Sequence, residues 1–183
     1  PKARPATLVA SRHPAAAAIA QFDGAPGLDL VVANWGDGRL TLFRNRGDGS
    51  FAAGEHFNVG VDLSYGVATA DWNGDGHADL AVADTYRGQV RVLNGDGEGG
   101  FVRPRSYEAG KGVRHIATAD VDRDGRLDLL TADTGAGTVS LLAGRGDGSF
   151  ESPQVIAVGP TPRLVEVADL DRDGRLDLVV SLI

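Results

Sequence analysis

One unit of about 49 residues recurs along this chain, and that repeat limits the fold more than any other feature. Asp29-Leu30-Val31-Val32-Ala33, Asp79-Leu80-Ala81-Val82-Ala83, Asp128-Leu129-Leu130-Thr131-Ala132 and Asp177-Leu178-Val179-Val180-Ser181 follow one another at 50, 49 and 49 residues. Phe51, Phe101 and Phe150 keep the same step. Each follows a glycine-rich turn: Gly47-Asp48-Gly49-Ser50, Gly95-Asp96-Gly97 with an insertion, and Gly146-Asp147-Gly148-Ser149. Three units are complete, and a fourth begins near Arg163. A unit this small cannot bury both of its faces, so neighbours must stack on it.

Within a unit the apolar runs are short, rich in Val, Leu and Ala, and bounded by Gly and Asp. In unit two they predict strands at Gly66–Asp71, Asp79–Ala83, Gln89–Leu93 and Phe101–Tyr107. No window carries an apolar stripe at helical spacing. Ala15–Ala18 has helical propensity, but its register matches Tyr65–Ala68 and it reads as strand. Composition agrees: 26 of 183 residues are Gly, and 20 Asp stand against 5 Glu, a bias toward turns. Repeated four-stranded units of this length predict an all-β chain, a β-propeller of four-stranded antiparallel blades with about three and a half to four blades present. The repeats span roughly 15–62, 63–111, 112–160 and 161–183, and 1–14 is read as the outer strand of a neighbouring or closing blade. Small residues such as Ala70, Ala119 and Ala168 suit the crowded innermost strands. The half-built last unit leaves strand edges that invite pairing, so the chain is expected to self-associate or to belong to a larger propeller.

The net charge of −7 argues against a nucleic-acid partner, and no apolar run is long enough for membrane insertion. With no Cys there is no disulfide, thiolate metal site or thiol chemistry. No signal-peptide pattern occupies Pro1–Ala10 and no Met begins the chain, which reads as a mature or excised piece.

Between the first two strands of units two to four lies an acidic loop of pattern D-x-[DN]-x-D-G-x-x-D. Its positions 1, 3, 5 and 9 are Asp71, Asn73, Asp75, Asp79; Asp120, Asp122, Asp124, Asp128; and Asp169, Asp171, Asp173, Asp177. A Gly at position 6 turns the loop sharply, and the backbone carbonyl of His77, Arg126 or Arg175 at position 7 adds an oxygen. Hard oxygen ligands in this number suit Ca²⁺ rather than zinc. An EF-hand is excluded, because position 12 is Val82, Thr131 or Val180, where that loop needs Glu. The first loop, Gln21 to Asp29, has lost the carboxylates of positions 1 and 5 and carries Pro26 at position 6. It is expected to be metal-free and held by Phe22 and Leu28 packing and by side-chain bonds from Asp23 or Asp29 to backbone amides, which leaves about three Ca²⁺ per chain.

The thrice-repeated loop and the Gly-Asp-Gly-x-Phe turn resemble the FG-GAP/VCBS repeat family, the blades of integrin α-subunit propellers and of many bacterial extracellular proteins. The resemblance covers nearly the whole chain. It implies a calcium-bound propeller used for binding or adhesion, secreted and extracellular, cell-surface or periplasmic, and it implies the twelve side chains above as metal ligands.

In propellers the hairpins between strands two and three share a face with the connections from strand four to strand one. That face holds Asn34, Trp35, Tyr65, Asp84, Tyr86, Arg87, Lys111, Arg114, His115, Asp133 and Arg163. Its aromatic and Arg residues, Trp35, Tyr65, Tyr86, Arg87, Arg114, His115 and Arg163, form the candidate ligand face for a glycan or protein. Trp72, inside a metal loop, is expected to pack beneath it. Arg46-Gly47-Asp48 and Arg145-Gly146-Asp147 spell the integrin-recognition tripeptide but read as turn chemistry. No nucleophile elbow is present, and most Asp residues are committed to loops and turns. The function expected is a non-catalytic binding module; the alternatives are the propeller part of a polysaccharide lyase or hydrolase, or a structural or engineered propeller fragment.

Overall fold

The computed structural model describes residues 7–183, and all regular structure among them is β. Unit one supplies β1 (Pro14–Ala20), β2 (Asp29–Asn34), β3 (Arg39–Phe43) and β4 (Glu55–Asn58). Unit two supplies β5 (Ser64–Ala70), β6 (Asp79–Asp84), β7 (Gln89–Gly95) and β8 (Phe101–Glu108). Unit three supplies β9 (Val113–Ala119), β10 (Asp128–Asp133), β11 (Thr138–Leu142) and β12 (Gln154–Ala157), and unit four β13 (Pro162–Ala168) and β14 (Asp177–Leu182). Each full unit is one antiparallel sheet with its strands in sequence order. Ala15–Ala18 lies in β1, as its register predicts. The outer strand expected over 1–14 falls partly outside the described residues; residues 7–13 carry no strand.

The second strand of each sheet alternates its side chains between two neighbours, because successive residues of a strand face opposite sides. On β6, Leu80 and Val82 join the core shared with unit one, while Ala81 and Ala83 join the core shared with unit three. On β10, Leu129 points to unit two, and Leu130 and Ala132 to unit four. The strands are therefore nearly continuous apolar runs, as sheets covered on both faces require. The first strands of successive sheets lie side by side: β1 with β5, β5 with β9, β9 with β13. Their approach is close. A Cβ on Gly66 would stand 2.5 Å from the carbonyl oxygen of Arg114 on the neighbouring first strand, so only Gly fits there.

Aromatic side chains lock one blade to the next at the acidic-loop end. Position 2 of the first two loops reaches the turn Phe of the following blade: Phe22 meets Phe101 edge-on at 5.4 Å, and Trp72 meets Phe150 at 6.0 Å. Trp72 is buried, and its Nε1 donates to Thr118 Oγ1 at 3.2 Å. It packs under its loop, as expected.

The glycine-rich turns have one length. Asn45, Gly95 and Gly144 occupy one position, as their identical amide bonds show, and Phe51, Phe101 and Phe150 each follow six residues later. Unit two therefore has no insertion; its Gly-Asp-Gly is displaced by two residues within the same turn. Both integrin-type tripeptides are bound up in these turns. Asp48 and Asp147 accept the amides of Ser50 and Ser149, and Arg145 pairs with Glu151 at 2.7 Å.

Candidate metal centre and ligand face

The three acidic loops share one backbone. The amides of Gly76, Gly125 and Gly174 donate to the position-1 carboxylates of Asp71, Asp120 and Asp169 at 2.8–2.9 Å. The amides of Asp75, Asp124 and Asp173 donate to position 3, Asn73, Asp122 and Asp171. The position-6 glycines sit at φ 85°, 85° and 81°, a region that Pro, fixed near −65°, cannot enter. Position 4 is also left-handed: Gly74 at φ 74°, but Arg123 and Arg172 at 64°. A side chain there costs roughly 1–2 kcal/mol. Arg123→Gly and Arg172→Gly are each expected to raise stability by about 0.5–1 kcal/mol after the entropy of a new Gly is deducted. Paired thermal melts check this, and a fall in melting temperature would contradict it.

The donors are all oxygen, and in two loops they converge. One oxygen from each of Asp120, Asp122 and Asp124 lies within 4.8 Å of the others, and the same holds for Asp169, Asp171 and Asp177. The set fits a hard divalent cation. Two arginines complicate it. Arg126 Nη2 contacts Asp124 Oδ2, and Arg175 Nε donates to Asp173 Oδ2 at 2.8 Å, so a guanidinium supplies positive charge at position 5 of both loops. The Arg175 hydrogen bond holds the Asp173 carboxyl below the usual range. In loop two, Asn73 Nδ2 donates to Asp75 Oδ2, leaving Asn73 Oδ1 on the Asp75 amide.

The position-9 carboxylates do something that the ligand pattern does not reveal. Asp79 Oδ2 accepts the Trp72 amide at 3.0 Å and its Oδ1 the Gly95 amide at 2.9 Å. Asp128 repeats this with Val121 and Gly144, and Asp29 with Phe22 and Asn45. In unit four, Asp177 Oδ2 accepts the Leu170 amide. Each full-unit carboxylate thus ties the acidic loop to the turn between strands three and four, and Asp29, Asp79 and Asp128 are buried. Burial pushes the Asp79 carboxyl up to about 6, with the charges of Asp75 and Asp71 adding to the rise against the two amide bonds. Asp128 is raised for the same reasons, burial first.

Loop one differs as its sequence requires. Left-handed glycines fall at Gly24 and Gly27, on either side of Pro26, so the backbone takes another path. Asp23 accepts the Ala25 amide at 2.9 Å and pairs with Arg44 at 3.3 Å. Phe22 is buried, but Leu28 is 53 % exposed and contributes no packing. The expected side-chain bonds are present, between Asp23 and the Ala25 amide and between Asp29 and the Phe22 and Asn45 amides.

The opposite end of the sheets is built differently from its sequence reading. Asn34, Asp84 and Asp133 end the second strands and are buried, not surface groups. Asp133 accepts hydroxyl bonds from Thr131, Thr138 and Ser140, and burial raises its carboxyl. Arg87 is committed to Asp62 at 3.0 Å and to Asp84 at 3.5 Å. His115 is partly buried between β9 and β13; burial lowers its pKa, and its Nδ1 faces the Val165 amide at 3.5 Å. Trp35 and Tyr86 project from the corresponding β2–β3 and β6–β7 hairpins, 42 % and 75 % exposed. Trp35 meets the His13 ring edge-on at 5.8 Å. Arg114 lies over the Tyr65 ring at 4.8 Å, and Arg163 is exposed.

Stacked four-stranded antiparallel sheets with an acidic loop between their first two strands define a propeller-type repeat protein. The FG-GAP-like repeat family model matches residues 21–82, 71–131 and 120–180, and the chain belongs to that family. Among solved structures it is similar to a lectin of Agrocybe aegerita described as recognising non-reducing terminal N-acetylglucosamine. The identity is 23 %, the TM-score 0.61, and the match covers 88 % of this chain and 45 % of that one. It is also similar to the Photorhabdus luminescens Tc holotoxin pore, at 22 % identity and TM-score 0.49, over 91 % of this chain and 8 % of that one. The chain therefore spans less than half the length of either. No curated protein sequence matches it.

Proposed function

We propose that this chain is a non-catalytic, calcium-stabilised propeller module that binds a glycan or protein ligand outside the cytoplasm. The observation that carries the reading is the pair of exposed aromatics, Trp35 and Tyr86, at corresponding hairpins on a rigid stack of sheets. Exposed aromatic anchors on a fixed scaffold bind at low entropic cost. The lectin relative is compatible with a saccharide ligand. Three Ca²⁺ ions are held by the acidic loops of units two, three and four, at the end of the sheets away from these aromatics, so their role is structural: they supply positive charge among crowded carboxylates.

A glycan array and a pulldown test the reading. Binding is expected, and Trp35→Ala with Tyr86→Ala should weaken it at least tenfold while the melting temperature stays within a few degrees. Turnover of a polysaccharide by the isolated chain would replace this reading with the enzymatic one.

A further inference from the structure

All four first strands carry a β-bulge at the same place, near their start. Pairing skips Ala15 in β1, Tyr65 and Gly66 in β5, Arg114 in β9 and Arg163 in β13. A bulge leaves its extra residue unpaired and re-aims its side chain. Because the first strands lie side by side, the four bulges bring Ala15, Tyr65, Arg114 and Arg163 into one row at the end of the sheets opposite the acidic loops.

The row is held from the neighbouring blade. Thr85 Oγ1 donates to the carbonyl of Val113, just before Arg114, at 2.7 Å. Thr134 Oγ1 donates to the carbonyl of Pro162, just before Arg163, at 2.5 Å. Ser64 Oγ, just before Tyr65, donates to the Asn34 carbonyl at 2.9 Å. Three bulges are therefore pinned to the hairpin of the preceding blade.

The charge on the row is unbalanced. Arg114 and Arg163 form no ion pair among the described residues, and they are the two arginines that stand at the bulge positions. On β13, Glu166 lies 4.0 Å from His115 Nε2 and pairs with neither arginine. Asp84 and Asp133, on the adjoining strands, are buried and already hydrogen-bonded. In a chain of net charge −7, the bulge row thus places two guanidinium groups side by side on pinned backbone.

We infer that this bulge row binds the anionic group of an acidic saccharide. The inference rests on the ligand-binding reading above and names its ligand class. Arg114 and Arg163 offer forked donors that match a carboxylate or sulfate. The Tyr65 ring, with Arg114 over one face at 4.8 Å, sets that guanidinium beside an aromatic group, which suits a saccharide acid better than a bare anion.

The test is calorimetric titration with four probes: tetragalacturonate, sulfated cellotetraose, neutral cellotetraose and tetraglutamate. Both acidic saccharides, or one of them, should bind, with affinity falling several-fold between 50 and 200 mM salt, roughly as screening of a two-charge contact predicts. Arg114→Gln combined with Arg163→Gln should weaken that binding at least tenfold without moving the melting temperature by more than a few degrees. The two acidic saccharides separate carboxylate from sulfate recognition. Preference for the neutral tetramer, or acidic binding untouched by the double substitution, would overturn the inference while leaving the ligand-binding reading intact. Binding of tetraglutamate with no acidic saccharide bound would overturn the saccharide class.

Discussion

Asp29→Ala should destabilise the protein by about 3 kcal/mol, to the same extent with and without calcium. Asp29 is buried and accepts two backbone amides, from Phe22 at 3.0 Å and Asn45 at 2.8 Å. Hydrogen bonds to a charged group are worth about 1.5–3 kcal/mol each, and Ala would leave both donors without a partner. For a chain of this size that corresponds to roughly 6–12 °C in melting temperature. Asp29→Asn keeps one acceptor oxygen and should lose about half as much. Loop one lacks the metal pattern, so the loss isolates the bracing role of position 9 from any metal role. A melting temperature within 2 °C or so of the parent would show that the two amides find other partners and that the loop-to-turn tie is dispensable.

Calcium itself should give an effect of similar size. Ions that bind only the folded state stabilise it by RT ln(1 + [L]/Kd). With dissociation constants of about 10⁻⁴–10⁻³ M, as in extracellular modules, millimolar calcium contributes about 1 kcal/mol per site, or about 3 kcal/mol for three sites. Chelation should then lower the melting temperature by roughly 6–12 °C, and magnesium should substitute poorly. The shift should shrink in acid. The Asp79 carboxyl titrates near 6 in the folded chain, above its ordinary value of 3.8. A carboxyl raised by folding contributes stability that is complete below its unfolded value and lost as pH climbs through about 6. The metal-free protein therefore gains from Asp79 as pH falls from 7 to 5, while calcium must compete with the same proton. Melts with and without calcium at pH 7 and pH 5 should converge at the lower pH. A calcium shift equal at both would mean that Asp79 is no ligand.

The repeat, its four strands and the acid loops were legible in the sequence because they rest on short-range signals. Alternation of Leu80, Ala81, Val82 and Ala83 needs only period two, and Gly76 needs only a left-handed turn. The position-9 tie was legible only in part: amide bonds to Asp29 were expected in loop one, but not the same brace in the other units. Its second partner, such as Gly95 for Asp79, lies 16 residues away, beyond any local pattern. One clue did exist: Asp29 persists in a loop whose positions 1 and 5 are Gln21 and Ala25. The bulges left no composition signal either, since the four positions hold Ala15, Tyr65, Arg114 and Arg163. Spacing also overstated the ligand face. It grouped Asn34, Asp84, Asp133, Arg87 and His115 with Trp35 and Tyr86 by loop position. The first three are buried in strand ends, Arg87 is held by two carboxylates, and His115 is wedged between first strands.

The acidic loops of units two, three and four, and not the first, should be the metal sites. Calorimetric titration of calcium into chelator-stripped protein tests that most directly. About three ions per chain are expected, falling by one when Asp122→Asn and Asp124→Asn are combined, and unchanged by Asp23→Asn. No heat of binding at millimolar calcium, or a fourth ion lost with Asp23→Asn, would contradict it.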